Sequence, residues 1–455
     1  MMAFIPLHHL MSKGRDRANS VCHNGEDFVH WQAYSKKVAS LAHGLKSRSE
    51  TRWLLTSNNA LDFSIQLLAL LHAGKQVIIP PNTQAGTLMQ LAEEFDAIVS
   101  NELASLDASP PALSLLDPQA ATLDLYTSGS TGKPKRVRKT LAQFEAEIEV
   151  LEALWGNALA DCAVVATVPH HHIYGLIFRI FWPLSTGRLF DVVTCAHPDM
   201  LQERLSKFKK SVLISSPAQL SRLPELAALS TLMISTDFIF SSGGPLSIDT
   251  ASKFYREIGF DPIEIFGSTE TGGIAWRRQC VNDAWEPLPG VVVRRGDDGG
   301  VLLTSPFLTD MSDLPMDDGV DMLSDGKFKL LGRLDRVVKI EEKRLSLPEM
   351  ESLLTTHSWV KAAAATSLSG RRQRVGVVVE LSADGLQQLA HFGRRHVSQQ
   401  LKHHLSERFE PVLLPKQWRF LEQMPMNAQG KLTYATISAL FVSEETFEET
   451  SHVAS

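Results

Sequence analysis

Short apolar runs alternate with longer helical patterns along most of this chain. The runs at 53–57, 77–79, 97–100, 164–168, 212–215, 238–241 and 263–266 predict buried strands. Between them, 61–73 predicts an apolar helix that stops at Gly74, and 88–95 and 248–258 predict two more. Such alternation predicts an α/β fold, with a large N-terminal domain of mainly parallel sheets sandwiched by helices. Around 291–304 the texture changes. Short β-branched runs broken by Asp297-Asp298-Gly299-Gly300 predict hairpins, hence a β-rich subdomain near 285–331. The last third predicts helices at 347–355 and 386–409 and strands at 362–366 and 375–380, a small α+β unit. The short polar segment 332–335 marks the boundary, giving domains at 1–334 and 335–455.

Composition narrows the partners. The chain has 455 residues, 45 basic and 51 acidic, with a net charge of −6, so nucleic acid is not an expected partner. Four scattered cysteines, Cys22, Cys162, Cys195 and Cys280, lack the spacing of a disulfide framework or zinc site and fit a reducing, cytoplasmic setting. The first residues lack a signal-peptide pattern, and no stretch approaches the roughly 20 apolar residues of a membrane span.

The candidate chemistry begins at Tyr126-Thr127-Ser128-Gly129-Ser130-Thr131-Gly132-Lys133-Pro134-Lys135, directly after an apolar strand pattern. Glycines let backbone N–H groups turn inward, and hydroxyls and lysines add donors and positive charge, as a polyphosphate requires. The order excludes a Walker A loop. That loop needs four residues between its glycines and a Ser or Thr after its lysine, whereas here two residues separate the glycines and Pro134 follows Lys133. Taken alone, the loop also reads as a flexible turn.

Four further motifs follow in order. Phe266-Gly267-Ser268-Thr269-Glu270-Thr271-Gly272 leaves a strand directly and offers a carboxylate for a divalent cation. Asp321 is an isolated acid able to accept two hydrogen bonds from a ribose diol. Gly332-Arg333-Leu334-Asp335-Arg336 sets basic groups around an acid, and Gly430-Lys431 places a lysine on a late turn. Each alone has a plain structural reading as a turn, a surface acid, a salt-bridged linker or a solvated lysine.

Together, in this order, the motifs resemble those of the adenylate-forming enzymes: acyl- and aryl-CoA synthetases, luciferases and peptide-synthetase adenylation domains. Asn58-Asn59 through Gly74, Pro169-His170-His171-His172-Ile173-Tyr174-Gly175 and Ser242-Gly243-Gly244-Pro245-Leu246 extend the resemblance over nearly the whole chain. It implies ATP and Mg²⁺ as cofactors. The loop from Thr127 to Lys135 would hold the β- and γ-phosphates, Glu270 the Mg²⁺, and Thr269 the α-phosphate. Gly243, Gly244, Phe266 and Gly267 would line the adenine site, Asp321 and Arg333 the ribose. Lys431 would bridge the α-phosphate and the attacking carboxylate, His172 would lie near that carboxylate, and Asp335 would be the hinge of a mobile C-terminal lid.

The resemblance also bears on substrate and acceptor. Amino-acid-activating members carry an Asp for the substrate ammonium, and the stretch 169–175 has no acid, so an acyl or aryl carboxylate is expected. The expected acceptor is the thiol of CoA or the phosphopantetheine of an acyl carrier protein. A non-thiol acceptor, or a family member that binds without turnover, is the alternative. The chain departs from the family at Phe266 (usually Tyr), in a shortened stretch between Asp321 and Gly332, at Tyr434, and at Glu342, where CoA ligases usually have glycine. Between Arg336 and Leu440 there are 15 basic and nine acidic residues, a balance that fits either a solvated face or an acidic docking partner. The stretch 339–347 is similar to that of the stand-alone ligases of aryl-polyene pigment pathways, which implies an aryl or short unsaturated acid.

Overall fold

The computed structural model describes residues 3–105, 110–128, 134–310, 313–340, 343–368, 373–426, 432 and 434–442. The fold is α/β, and the chain forms two compact units. One comprises Met1–Val292 with Thr304–Ser312, and the smaller comprises Val293–Leu303 with Asp313–Ser455.

In the first unit, a five-stranded sheet runs in the order Ala97–Ile98, Arg52–Leu54, Gln76–Ile79, Thr122–Ser128, Pro134–Thr140. Its first four strands are parallel and the last is antiparallel. In the second sheet, Ile263–Ser268, Thr236–Ser241, Ser211–Ser215, Ala163–Ala166, Phe190–Thr194 and Ser20–His23 are parallel neighbours. Gly272–Arg278 and Asn282–Pro287 extend it antiparallel beyond Ile263–Ser268.

The Ala60–His72 helix touches both sheets, at Gln76–Ile79 and at Phe190–Thr194. That placement explains a helix apolar all round: only Asp62 of its residues escapes burial. Each buried leucine there contributes about 2 kcal/mol relative to exposure. Asn59 starts the helix, its side chain accepting the N–H groups of Leu61 and Asp62, a cap worth about 1 kcal/mol. The Leu141–Trp155 helix starts with a reciprocal capping box between Thr140 and Gln143.

In the second unit, Gly300–Thr304, Leu314–Met322 and Phe328–Arg333 form antiparallel hairpins, as the β-branched runs predict. A second hairpin joins Val337–Ile340 to Lys343–Ser346. Val360–Leu368, Arg374–Leu381 and Gln417–Leu421 make a three-stranded sheet. The Leu347–Thr355 and Ala383–Ser406 helices pack Leu347, Met350, Leu354, Val397, Leu401 and Leu405 into one core with Val377 and Val379.

Candidate functional site

The second sheet's topology decides where a ligand can reach the first unit. Loops leave the carboxyl ends of neighbouring parallel strands, the usual binding crevice of open α/β sheets. After Thr236–Ser241 comes Ser242-Gly243-Gly244-Pro245. After Ile263–Ser268 comes the Thr269–Thr271 turn, which returns as Gly272–Arg278.

The turn is built from local constraints. Gly267 faces Gly273 across the hairpin, and a Cβ on Gly267 would lie 2.2 Å from the Gly272 carbonyl oxygen. Gly272 has φ +70°, which a side chain would strain. Ser268 N–H donates to Thr271 Oγ1 at 3.0 Å, Thr271 N–H donates back to Ser268 Oγ at 3.2 Å, and Thr271 Oγ1 donates to the Gly272 carbonyl at 2.8 Å. Thr269 and Glu270 are thereby presented at the tip.

The Ser242–Pro245 segment, expected to line an adenine slot, is tied to the same strand. Ser242 Oγ donates to the Ile265 carbonyl at 2.8 Å. Glu264 accepts the Leu246 N–H at 3.1 Å and is itself held by Arg277 and Gln279, at 2.8 and 2.6 Å. Gly243 has φ +95°, and a Cβ on either Gly243 or Gly244 would meet nothing within 4 Å. The backbone there faces open space. Phe266 packs against Trp285, ring centres 5.6 Å apart.

The phosphate loop joins two antiparallel strands, Thr122–Ser128 and Pro134–Thr140, with Thr127 opposite Lys135. Gly129, Ser130, Thr131, Gly132 and Lys133 lie outside the described residues. At the loop's exit, Lys135 Nζ donates to Glu270 Oε1 at 2.8 Å. Two residues 135 positions apart, one from each expected phosphate-binding motif, thus meet. Burial works to raise the Glu270 pKa, but the hydrogen bond and charge of Lys135, a backbone hydrogen bond and Ser268 together hold it below the usual range, so the carboxylate is ionised at neutral pH. An anionic oxygen already facing an ammonium, beside a glycine segment open to solvent, fits a nucleotide triphosphate and its divalent cation. Lys135 and the loop would hold phosphate oxygens, and Glu270 the cation, which would neutralise their charge.

His172 precedes the helix that begins at Ile173. His170 is buried and its Nε2 lies 2.8 Å from the Ser57 carbonyl. Burial, then the Arg179 charge, lowers His170 to about 3 and His171 to about 4, so both are neutral. No group of three or more metal-binding side chains occurs among the described residues. The residues that follow contribute to a buried aromatic cluster in the core. Phe178 lies 5.2 Å from Phe240 and 5.5 Å from Trp182, and Trp155 lies 5.1 Å from Phe240 and 5.6 Å from Trp276.

Asp321 and Arg333 belong to the second unit. Asp321, on Leu314–Met322, faces Lys329 in register and lies 3.9 Å from Arg295. Arg333, on Phe328–Arg333, donates to Asp317 at 3.2 Å. Asp335 follows in the Leu334–Arg336 turn. Lys431, Glu342, Arg371 and Arg372 lie outside the described residues.

Sequence reasoning passed over Lys139, Glu147 and Glu264, all buried charges around the turn. Glu147 had a signal. Phe144, Ile148 and Leu151 mark the buried face of the Leu141–Trp155 helix, and Glu147 falls on that face.

Comparison with known proteins places this architecture in a class. A family described as AMP-binding enzyme matches residues 75–298, and its C-terminal domain matches residues 349–431. The chain is 26% identical over 381 residues to the acetyl-coenzyme A synthetase of Thiobacillus denitrificans, covering 72% of this chain and 57% of that protein. It is 26% identical over 307 residues to the 4-coumarate–CoA ligase of Rhodobacter capsulatus, covering 67% and 73%. The fold matches ATP-bound MatB from Rhodopseudomonas palustris with a TM-score of 0.77 at 18% identity, over 96% of this chain and 99% of that one. A benzoate CoA ligase from Burkholderia xenovorans gives 0.76 at 19% identity, over 96% and 100%. The chain belongs to the AMP-binding, adenylate-forming enzymes.

Proposed function

We propose that this protein is an ATP- and Mg²⁺-dependent acid–thiol ligase. It activates an acyl or aryl carboxylate as an acyl adenylate, releasing pyrophosphate, and passes the acyl group to the thiol of CoA or of a phosphopantetheinyl carrier protein. The Lys135–Glu270 contact carries this reading, because the lysine that would bind phosphate and the carboxylate that would hold the cation meet there. Thr269 would touch the α-phosphate, Asp321 and Arg333 the ribose, and Lys431 would offset charge developing at the α-phosphate and attacking carboxylate. Residues 335–455 would close for adenylation and swing about Asp335 for thiol transfer, in the cytoplasm.

The absence of an acid in 169–175 supports an acyl or aryl acid beside His172. The test is exchange of labelled pyrophosphate into ATP across a panel of carboxylic acids. Exchange dependent on one acyl or aryl acid is expected, and exchange with none would refute the enzymatic reading. CoA and a holo-carrier protein are then supplied separately and the product weighed. A thioester with neither, but an amide or ester with another nucleophile, would replace the thiol acceptor.

A further inference from the structure

Lys139 and Glu147 are charges in the core, 3% and 4% exposed. The Glu147 carboxylate accepts the Gly273 N–H at 2.9 Å. A Cβ on Gly272 would lie 2.5 Å from Glu147 Oε2, and one on Gly273 would lie 3.0 Å from Oε1. The paired glycines at the turn's exit therefore leave the room this carboxylate occupies. Lys139 shares a strand face with Lys135, four residues earlier, because side chains alternate along a strand. Its Nζ donates to the Phe307 carbonyl at 3.1 Å, and both Glu147 and Glu270 act on its charge. One strand thus carries two lysines, and the turn is held at its tip and at its exit. Lys135 takes Glu270, and Glu147 takes Gly273.

We propose that Glu147, with Lys139 as its counter-charge, is a positioning residue for the nucleotide turn, fixing the exit at Gly272–Gly273 and hence where Thr269 and Glu270 stand. The inference rests on the ATP-site reading given above. Its physical logic is that a buried carboxylate is costly unless it is hydrogen-bonded and paired. Apolar residues at 139 and 147 would pack more stably, so the pair's placement under the turn points to use. Burial pushes the Glu147 carboxyl up to about 7, against the opposing pull of Lys139 and the Gly273 N–H. If Glu147 is neutralised, the Lys139 charge is left to act on Glu270, the carboxylate a cation needs.

The test is Glu147→Gln, which keeps the shape and an acceptor oxygen. Binding of Mg·ATP is measured by calorimetry at pH 8, with melting temperature and the Michaelis constants for ATP and for the carboxylate. The variant should melt at or above the wild type yet weaken Mg·ATP binding by about tenfold, the effect of one charge-assisted hydrogen bond. The carboxylate constant should stay within about twofold, well inside that tenfold step. Unchanged Mg·ATP affinity, or a parallel loss of both affinities with stability, would overturn the proposal. Wild-type protein that binds no Mg·ATP would instead sink the ATP-site reading itself. If Glu147→Gln fails to fold, Glu147→Asp, which keeps the charge and withdraws it from Gly273, should melt below the wild type and weaken Mg·ATP binding by about tenfold with the carboxylate constant within about twofold, and unchanged Mg·ATP affinity or an equal loss of both affinities would overturn the proposal.

Discussion

Glu270→Gln separates a working contact from a structural one. The Lys135–Glu270 pair is 2.8 Å long, but its side chains are 61% and 39% exposed. Coulomb attraction at that distance in water is about 1.5 kcal/mol. Salt screening and the entropy of holding two long side chains reduce the net value to between about 0.2 and 1 kcal/mol. Glutamine keeps the shape and can still accept a hydrogen bond from Lys135. The variant should therefore lose less than about 1 kcal/mol, a melting shift of no more than about 4 °C in a chain larger than a small domain.

Activity should respond on another scale. A group aimed at charge that develops in a transition state is worth about a hundred- to a thousandfold in rate. Acid-dependent pyrophosphate exchange should fall by that factor, and the Mg²⁺ concentration for half-maximal exchange should rise. Lys135→Met should also slow exchange. The double variant should lose less than the two single losses combined, because both residues serve one charge cluster. Exchange within about threefold of wild type would remove Glu270 from the chemistry. A melting shift beyond about 8 °C would show that the pair is structural.

The remaining predictions concern stability. His170, His171 and His72 are held neutral by burial, near 3, 4 and 4. Unfolded histidine takes a proton near 6.5, so between that pH and the folded values the unfolded chain binds more protons, and stability falls as pH drops, by up to about 1.4 kcal/mol per pH unit per residue. Glu147, raised to about 7, acts oppositely, costing stability as pH rises from its unfolded value of about 4.5 towards 7. Urea unfolding from pH 5 to 8 should show His170→Asn flattening the fall in stability below about pH 6.5 and Glu147→Gln steepening it, because Glu147 opposes the histidines over the same range. An acid limb unaltered in His170→Asn would refute the burial argument. Asp191 is fully buried, accepts hydrogen bonds from Arg204 and from the Val193 N–H at 2.8 Å, and is remote in role from the nucleotide turn. Asp191→Asn should cost about 3–5 kcal/mol by urea unfolding while leaving Mg·ATP affinity unchanged, and a loss below about 1 kcal/mol would show that the buried pair is solvated.

What could be read ahead of the structure divides along physical lines. The helices at Ile248–Ile258 and Leu347–Thr355 match their predicted spans because cap and periodicity are local. The predicted helix at 88–95 is instead Ala85–Gln90 followed by turns, although Leu88, Leu91 and Phe95 keep helical spacing and pack in one cluster with Tyr126. The 386–409 pattern begins earlier, at Ala383 under the Ser382 cap, and is broken at Gly393, φ +76°, which periodicity alone does not reveal. The Phe266–Gly272 turn was legible for the same reason the capped helices were: its glycines and hydroxyls answer to neighbours a few residues away. Glu147 meets Gly273 across 126 positions, and Lys139 meets Phe307 across 168. No short window contains both halves of either contact. The residues of a motif stand next to one another in the chain, while their supports need only reach the motif from wherever the core permits. The motifs are therefore visible in the chain before folding, whereas Glu147, the group proposed to position the turn, reaches it only when the Leu141–Trp155 helix packs against Gly273.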